Sequence, residues 1–408
     1  MDAIAERADI DAAVSGKTVC TLFADAVARW GDRPALHWKD NGDWRTLTWR
    51  EYGDTVAALT MGLRSLGFGS GQFGLIMARN APSHVIADLG IVHAGGAAIS
   101  VYNTLAPEQI EYMANHSEAT VAFVEDEGFL AKFMAIRANT PHLKHVVLVH
   151  GDAPEGVMQW ETLLERGREE LARDPSAFER TWRAVGPEDT VALIYTSGTT
   201  GPPKGVTYSH NNITWTLESM RRVWAREGDR LVSYLPLAHI AERFTSQWRG
   251  IYHGHEVWFC PDPNLLLPYL LEARPTSFVG VPRVWEKLMA GLQAGIAAEP
   301  DESRRKMAQG AVSAAISAFR LRHAGQDVPA ELAAAVEQAQ PLFMMLRSKV
   351  GLDQCSLAVT TTAPSRPEIH EFWAALGLPL YEVWGMSELT GPGTVVPEGQ
   401  HKTPSIGR

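Results

Sequence analysis

Short apolar runs alternate with amphipathic stretches through most of the chain. Residues 73–77 read as a strand, and residues 83–93 as a helix with Val85, Ile86, Leu89 and Val92 on one face. Residues 97–101 are strand-like, 107–115 helical, 120–124 strand-like, and 146–149 a further strand. After a polar, acidic stretch at 173–189 the pattern restarts, with strands expected at 191–195, 231–235, 257–259, 277–281 and 357–360 and helices between them. Buried β-branched runs alternating with helices predict an α/β protein whose mainly parallel sheets are covered by helices. Two α/β subdomains are expected, at 1–185 and 186–408.

One stretch breaks the rhythm. Residues 285–350 contain no strand pattern, and the periodicity of Met307, Ala311, Ala314, Ala315, Ala318 and Phe319 predicts a helical insertion at about 285–352.

Composition narrows the function classes. The 408 residues are 45% hydrophobic and 21% charged, ordinary for a globular protein. A net charge of −10 argues against a protein that coats nucleic acid, yet leaves room for a local phosphate cradle. Cys20, Cys260 and Cys355 are far apart and match no zinc spacing, so a reducing, cytoplasmic compartment is expected. Residues 1–16 hold four Asp or Glu and no apolar block, unlike a signal peptide. No run reaches the ~18 apolar residues of a membrane-spanning helix. Peripheral membrane contact and homodimer formation are left open.

The strongest local signal is Tyr195-Thr-Ser-Gly-Thr-Thr-Gly-Pro-Pro-Lys-Gly205. An apolar strand runs into a loop whose glycines let backbone N–H groups turn toward an anion, whose hydroxyls add donors, and whose lysine adds charge. That is the chemistry of a polyphosphate cradle. It is not a Walker A loop, because Pro203 precedes Lys204 and Gly205 follows it. A Gly/Ser/Thr linker is the alternative, although a linker rarely follows directly on a five-residue apolar strand.

Three weaker signals stand beside it. Trp384-Gly-Met-Ser-Glu388 follows the apolar residues 380–383 and reads, taken alone, as a tight turn with an exposed glutamate. It resembles a serine-hydrolase elbow only in part, since Leu389 stands where the second glycine belongs. His239 opens a helical pattern with Ile240 and Phe244 facing inward, where a satisfied core histidine is the ordinary reading. His253-Gly-His255-Glu256 lacks the i, i+4 histidine pair of zincins and reads as a loop before a strand.

The decapeptide at 196–205 resembles the phosphate-binding signature of the adenylate-forming superfamily, which includes acyl-CoA synthetases, luciferases and peptide-synthetase adenylation domains. Leu235-Pro-Leu-Ala-His-Ile-Ala-Glu-Arg243, Val279-Gly-Val-Pro-Arg-Val-Trp-Glu-Lys287 and Tyr381-Glu-Val-Trp-Gly-Met-Ser-Glu388 are similar to its long-chain fatty acyl-CoA synthetase branch, bubblegum-type enzymes included. Asn80, Ala94-Gly-Gly96 and Tyr102-Asn-Thr104 agree with the same branch.

The resemblance implies site residues. Thr196, Ser197, Gly198, Thr199, Thr200, Gly201 and Lys204 would hold the β- and γ-phosphates of ATP. Thr362, Ala363 and Pro364 would bring backbone to adenine, with Trp384 against the base and Gly385, Met386 and Ser387 beside the α-phosphate. Glu388 and Thr196 would hold Mg²⁺, and His239 would lie beside the acyl carboxylate. His239, Glu388 and Lys204 are the implied catalytic set. Arg283 and Glu286 are expected to form a structural pair or a helix-start contact at the corner lining the acyl tunnel, rather than to react. The helical insertion is likewise similar to the long-chain branch.

The implied activity is ATP-dependent conversion of a long-chain fatty acid to its acyl-adenylate and then, with coenzyme A, to acyl-CoA. Rival readings are a fatty acyl-AMP ligase, an aryl-acid ligase, or a non-catalytic module that binds nucleotide or acyl-adenylate.

Two departures from the family pattern stand out. Thr360-Thr-Thr-Ala-Pro364 brings β-branched bulk at Thr361 and Thr362 where a glycine and an alanine are usual. Ser365-Arg-Pro-Glu368 behind it reads as a capping box that starts a helix. The second departure is at the end of the chain: family members continue past Ile406-Gly-Arg408 with a ribose-binding aspartate, a hinge and a small C-terminal lid domain carrying a catalytic lysine. The sequence is expected to be the N-terminal part of such a protein, with little adenylation of its own.

Overall fold

In the computed structural model, which describes residues 3–196, 201–400 and 405–407, the chain divides into two units. The first unit comprises Met1–Arg222 with Ser233–Pro263, and the second Val223–Val232 with Asn264–Arg408.

The first unit is built on a seven-stranded sheet. Its strands run in the order Met158–Gln159, His145–Leu148, Val121–Val124, Phe73–Met77, Ala97–Ser100, Thr190–Thr196 and Lys204–Ser209. All neighbours are parallel except the last pair, an antiparallel hairpin. The central strands are buried on both faces, which is why they read as continuous apolar runs rather than alternating ones. Leu75, Ile99, Ile110, Phe133, Val146 and Leu193 form one cluster beneath the covering helices.

The strands expected in this region form with shifts of one or two residues at their ends. The subdomain boundary expected near residue 185 falls inside this unit. Strand Thr190–Thr196 pairs with Ala97–Ser100 in register Ala98↔Ala192, so the chain completes one sheet across that point.

Two covering helices, Trp49–Ser65 and Trp160–Arg173, touch backbone to backbone. A Cβ on Gly167 would lie 1.7 Å from the Ala58 carbonyl oxygen, and one on Gly62 2.3 Å from that of Leu163. Only glycine permits this approach. A separate hairpin, Pro34–Asp40 with Asp43–Thr48, is absent from the strands expected above. Its signal is the dipeptide Asn41-Gly42, whose φ values of 51° and 91° make the positive-φ turn that suits a two-residue hairpin.

The second unit carries a four-stranded sheet in the order Ser277–Gly280, Leu357–Thr361, Leu380–Met386 and Gly391–Val395. The first three strands are parallel and the last is antiparallel. The connection between the first two is the expected insertion: helices Pro282–Ala297, Glu302–His323, Ala330–Gln338 and Gln340–Ser348 follow one another without a strand. Trp285 ties it to the sheet, its indole donating to the Val359 carbonyl at 3.1 Å. The Trp373 indole in turn donates to the Trp285 carbonyl at 3.3 Å.

Arg283 and Glu286 pair as expected, at 3.0 Å, and Glu286 also receives Arg366 at 2.6 Å. The capping box expected at Ser365–Glu368 does not form. Helix Pro367–Ala375 starts at an Arg366 cap with no side-chain hydrogen bond, because Pro367 occupies its first turn. The Ser365 hydroxyl lies instead 2.8 Å from that of Thr360.

Candidate functional site

The predicted site residues fall into two groups, one in each unit. In the first unit the glycine-rich loop spans the hairpin Thr190–Thr196 and Lys204–Ser209, where Thr196 and Lys204 are register partners. The structure thus brings the two ends of the predicted cradle together. Lys204, read from the sequence as part of the loop, is the first residue of the returning strand. Its side chain is exposed, Thr196 is half-buried, and Gly201 stands at φ 90° in open space. Ser197, Gly198, Thr199 and Thr200 lie outside the described residues.

His239 belongs to the same unit. It caps the short helix Ile240–Glu242, its Nδ1 accepting the Ala241 N–H at 3.1 Å. That bond leaves the imidazole proton on Nε2, and burial depresses the pKa, so the ring is a neutral N–H donor near pH 7. Ile240 and Phe244 are buried, as the pattern predicts.

The residues around His239 are held by groups to which the sequence reading gave no role. The Glu242 carboxylate accepts the Leu235 N–H at 3.1 Å, and Asn80 donates from Nδ2 to the Leu235 carbonyl at 2.8 Å and to the Ser233 hydroxyl at 2.9 Å. Burial pushes Glu242 up to about 7. Behind it the chain makes a π-helical turn, Arg243–Trp248. This turn directs Arg243 inward to pair with Asp88, which also takes the Gln247 amide at 2.7 Å. Arg243 is 0% exposed, and a buried arginine is tolerated only when paired. Arg243 closes the Leu235–Arg243 segment of the sequence, but its pairing leaves no local signal, since the partner lies 155 residues away.

In the second unit, Thr361 and Val383 are partners across two parallel strands, and the Thr361 hydroxyl donates to the Val383 carbonyl at 2.8 Å. Thr362 follows at φ 77°, with Ala363 and Pro364 exposed beyond it. Strand Leu380–Met386 then leaves the core. Trp384 is 47% exposed and Met386 41%, large apolar surfaces left to solvent. The register shifts between Trp384 and Gly385, where a Cβ would lie 2.1 Å from the Gly391 carbonyl oxygen.

Ser387 and Glu388 sit on the single turn Ser387–Leu389, and Thr390 ends it at φ 65°. Glu388 is exposed and Ser387 half-buried. Trp384, Gly385, Met386, Ser387 and Glu388 are thus grouped by one strand end, and Thr361 links the Thr362–Ala363–Pro364 turn to it.

Among the described residues no group of three or more His, Cys, Asp or Glu side chains could hold a metal by itself. His253 and His255 stack at 5.3 Å between rings, just before strand Glu256–Phe259.

A cleft of about 570 Å³ opens in the first unit, past the carboxyl ends of strands Phe73–Met77, Val121–Val124 and His145–Leu148. Arg79 and Lys132 line it, but both are engaged. Arg79 pairs with Glu125 at 3.1 Å and Asp126 at 2.7 Å, and Lys132 donates to the Asn103 and Leu105 carbonyls, each at 2.9 Å.

Comparison with known proteins gives one family, described as AMP-binding enzyme, which matches residues 23–408. The long-chain-fatty-acid–CoA ligase ACSBG2 of Gallus gallus is 34% identical over 392 residues, covering 93% of this chain and 50% of that protein. The long-chain-fatty-acid–CoA ligase ACSBG1 of Rattus norvegicus is 32% identical over 407 residues, covering 96% of this chain and 55% of that protein. The chain therefore spans about half the length of the curated relatives it matches. Among solved structures, the anthranilate CoA ligase AuaEII in complex with anthranoyl-AMP has a TM-score of 0.71 at 20% identity, covering 96% of this chain and 64% of that one. The N-terminal domain of FACL13 from Mycobacterium tuberculosis has a TM-score of 0.65 at 18% identity, covering 93% of this chain and 79% of that one. These two structures share the fold.

Proposed function

The chain belongs to the AMP-binding enzyme family, and from that premise we propose that it is the nucleotide- and acyl-binding part of an ATP-dependent long-chain fatty acid–CoA ligase. The observation that carries this reading is the 34% identity, over 93% of the chain, to a relative named as a long-chain-fatty-acid–CoA ligase. A fatty-acid carboxylate attacks the α-phosphorus of ATP, forming acyl-adenylate and releasing pyrophosphate. The thiol of coenzyme A then attacks the acyl carbon and AMP leaves. Both reactants of the first step are anions, so the protein's task is to hold them in line and offset their charge.

Each unit supplies residues suited to that task. In the first, the Lys204 ammonium and the Thr196 hydroxyl stand at the two feet of the hairpin loop and are assigned to the β- and γ-phosphates. The neutral His239 offers an Nε2–H donor and is assigned to the acyl carboxylate. In the second, the exposed Trp384 ring is assigned to adenine, the backbone of Thr362, Ala363 and Pro364 to its edge, and Ser387 to the α-phosphate. Glu388, an exposed carboxylate, is assigned to Mg²⁺, which takes one or two protein oxygens and completes its shell with water and phosphate. Bound there, Mg²⁺ would neutralise phosphate charge. The free, buried cysteines Cys20, Cys260 and Cys355 suit a reducing compartment such as the cytoplasm. No helix among the described residues is long and apolar enough to cross a membrane.

Calorimetry with non-hydrolysable palmitoyl- and benzoyl-adenylate analogues tests the proposal. Tight binding of the palmitoyl form, weak binding of the benzoyl form, and about tenfold weakening of both in a Trp384→Ala variant are expected. Preference for the benzoyl form would point to an aryl-acid ligase, and absence of binding by either would overturn the nucleotide assignment.

A further inference from the structure

Helix Pro107–Ser117 places two side chains beneath the hairpin that carries the glycine-rich loop. The Tyr112 hydroxyl donates to the Pro203 carbonyl at 3.1 Å. The His116 Nδ1 lies 2.8 Å from the Tyr195 hydroxyl, a hydrogen-bond distance. Tyr112 and His116 are four residues apart on one helical face, and their rings stack at 5.4 Å, so each limits the other's rotamers. The His116 and Tyr195 rings meet edge-on at 5.7 Å.

Both contacts land one residue from a foot of the loop. Pro203 precedes Lys204, and its carbonyl shares a planar peptide with the Lys204 N–H. Fixing that oxygen fixes the plane from which Lys204 departs. Tyr195 precedes Thr196 and is buried, with Gly205 opposite it in the register. A Cβ on Gly205 would lie 3.4 Å from the Tyr195 ring, an ordinary packing distance, so the strand backbone itself packs beside the phenol.

We propose that Tyr112 and His116 form a brace that sets the two feet of the hairpin, Thr196 and Lys204, for a triphosphate, which makes both of them positioning residues for the nucleotide. The inference rests on the assignment of that hairpin to the β- and γ-phosphates and names the parts that hold it in shape. A charged group aimed at phosphate gains most when its own orientation is fixed by a supporting layer. The brace acts on groups that meet only the β- and γ-phosphates. Its removal therefore separates nucleotides by phosphate number, which a general loss of stability does not do.

The test measures binding of the α,β-methylene analogue of ATP and of AMP to the chain at constant Mg²⁺. Thermal midpoints of every variant are recorded alongside. Tyr112→Phe removes one hydroxyl from a half-buried ring, and is expected to weaken the ATP analogue about three- to tenfold while leaving AMP unchanged. His116→Ala is expected to act in the same direction. His116→Asn, which keeps a polar atom near the position of Nδ1, is expected to restore most of the affinity. Equal losses for both nucleotides, or no loss for the ATP analogue, would overturn the brace. A Lys204→Ala control keeps the two readings apart. If it abolishes the preference for triphosphate while Tyr112→Phe and His116→Ala do not, the phosphate assignment stands and the brace fails. If the unaltered chain binds both nucleotides equally and Lys204→Ala changes neither, the assignment itself fails and the brace with it.

Discussion

The Thr361 hydroxyl closes the end of a parallel strand pair by donating to the Val383 carbonyl at 2.8 Å, and the next residue, Thr362, takes a φ of 77°. Thr361 thus contributes a hydrogen bond where the family pattern has a small residue. Thr362 stands in a left-handed conformation that costs a β-branched residue about 1–2 kcal/mol relative to glycine. Thr362→Gly is expected to stabilise the protein by about 1 kcal/mol after the entropy of the added glycine is counted. Thr361→Val should destabilise it by about 1 kcal/mol. Urea unfolding of both variants measures the two effects, and a destabilised Thr362→Gly would show that the turn needs its side chain.

Asp88 and Arg243 form a fully buried ion pair. Asp88→Ala strands the guanidinium in the core and is expected to cost about 3–5 kcal/mol. Replacing both residues by apolar ones of similar volume should recover most of that loss, because the desolvation of two charges disappears with them. Unfolding midpoints of the single and double variants decide it, and equal losses would mean that packing rather than charge makes the site.

Stability is expected to fall as pH drops from about 6.5 toward 4. Burial holds His84, His93 and His210 neutral, each pushed down to about 4. Unfolded histidine binds its proton near 6.5, so across this window the unfolded chain takes up more protons than the folded one. Glu242 works in the opposite direction. Raised to about 7, it stabilises the fold below its unfolded value and loses that contribution as pH rises through 7. Of these four groups, three favour the acid-side loss and one opposes it. In His93→Phe the acid slope should be shallower by up to about 1.4 kcal/mol per pH unit, read from denaturation at a series of pH values.

Trp384 and the metal should separate by ligand. Stacking of a base on an aromatic ring is worth about 1–3 kcal/mol, so Trp384→Ala is expected to weaken AMP and ATP alike by about tenfold. Chelation of Mg²⁺ is expected to weaken ATP and spare AMP, since the ion acts on phosphate charge. Titration of both nucleotides with and without chelator checks the pair, and an unaltered AMP affinity in Trp384→Ala would remove the ring from the adenine site.

Several elements were legible because their cause is local. A run such as Phe73–Met77 is apolar on both faces whatever surrounds it, and the strand-free insertion between Gly280 and Leu357 follows from helical periodicity alone. The glycines, hydroxyls and lysine at 196–205 are likewise local in their pattern, and it is on them that the proposed phosphate cradle rests. The hairpin at Asn41-Gly42 was equally local in its signal, although its exposed and half-buried strand Asp43–Thr48 has no apolar run to mark it.

The rest depends on partners distant in sequence. Lys204 becomes a strand residue because Thr196 pairs with it across the hairpin. Ser365 leaves its capping position because Thr360 lies 2.8 Å away, and Pro367 already starts the helix. Asp88 and Tyr112 carry no motif, and Glu242 lies in the Leu235–Arg243 segment without a role legible there. Their roles appear only when Leu235, Arg243 and Pro203 are brought to them. By itself the sequence determined most of the strands and helices and the order of glycines, hydroxyls and lysine in the 196–205 loop, since both follow from near neighbours. Only the tertiary structure decided which polar groups are buried and what holds the loop's feet, because a hydrogen bond is satisfied in space and not along the chain.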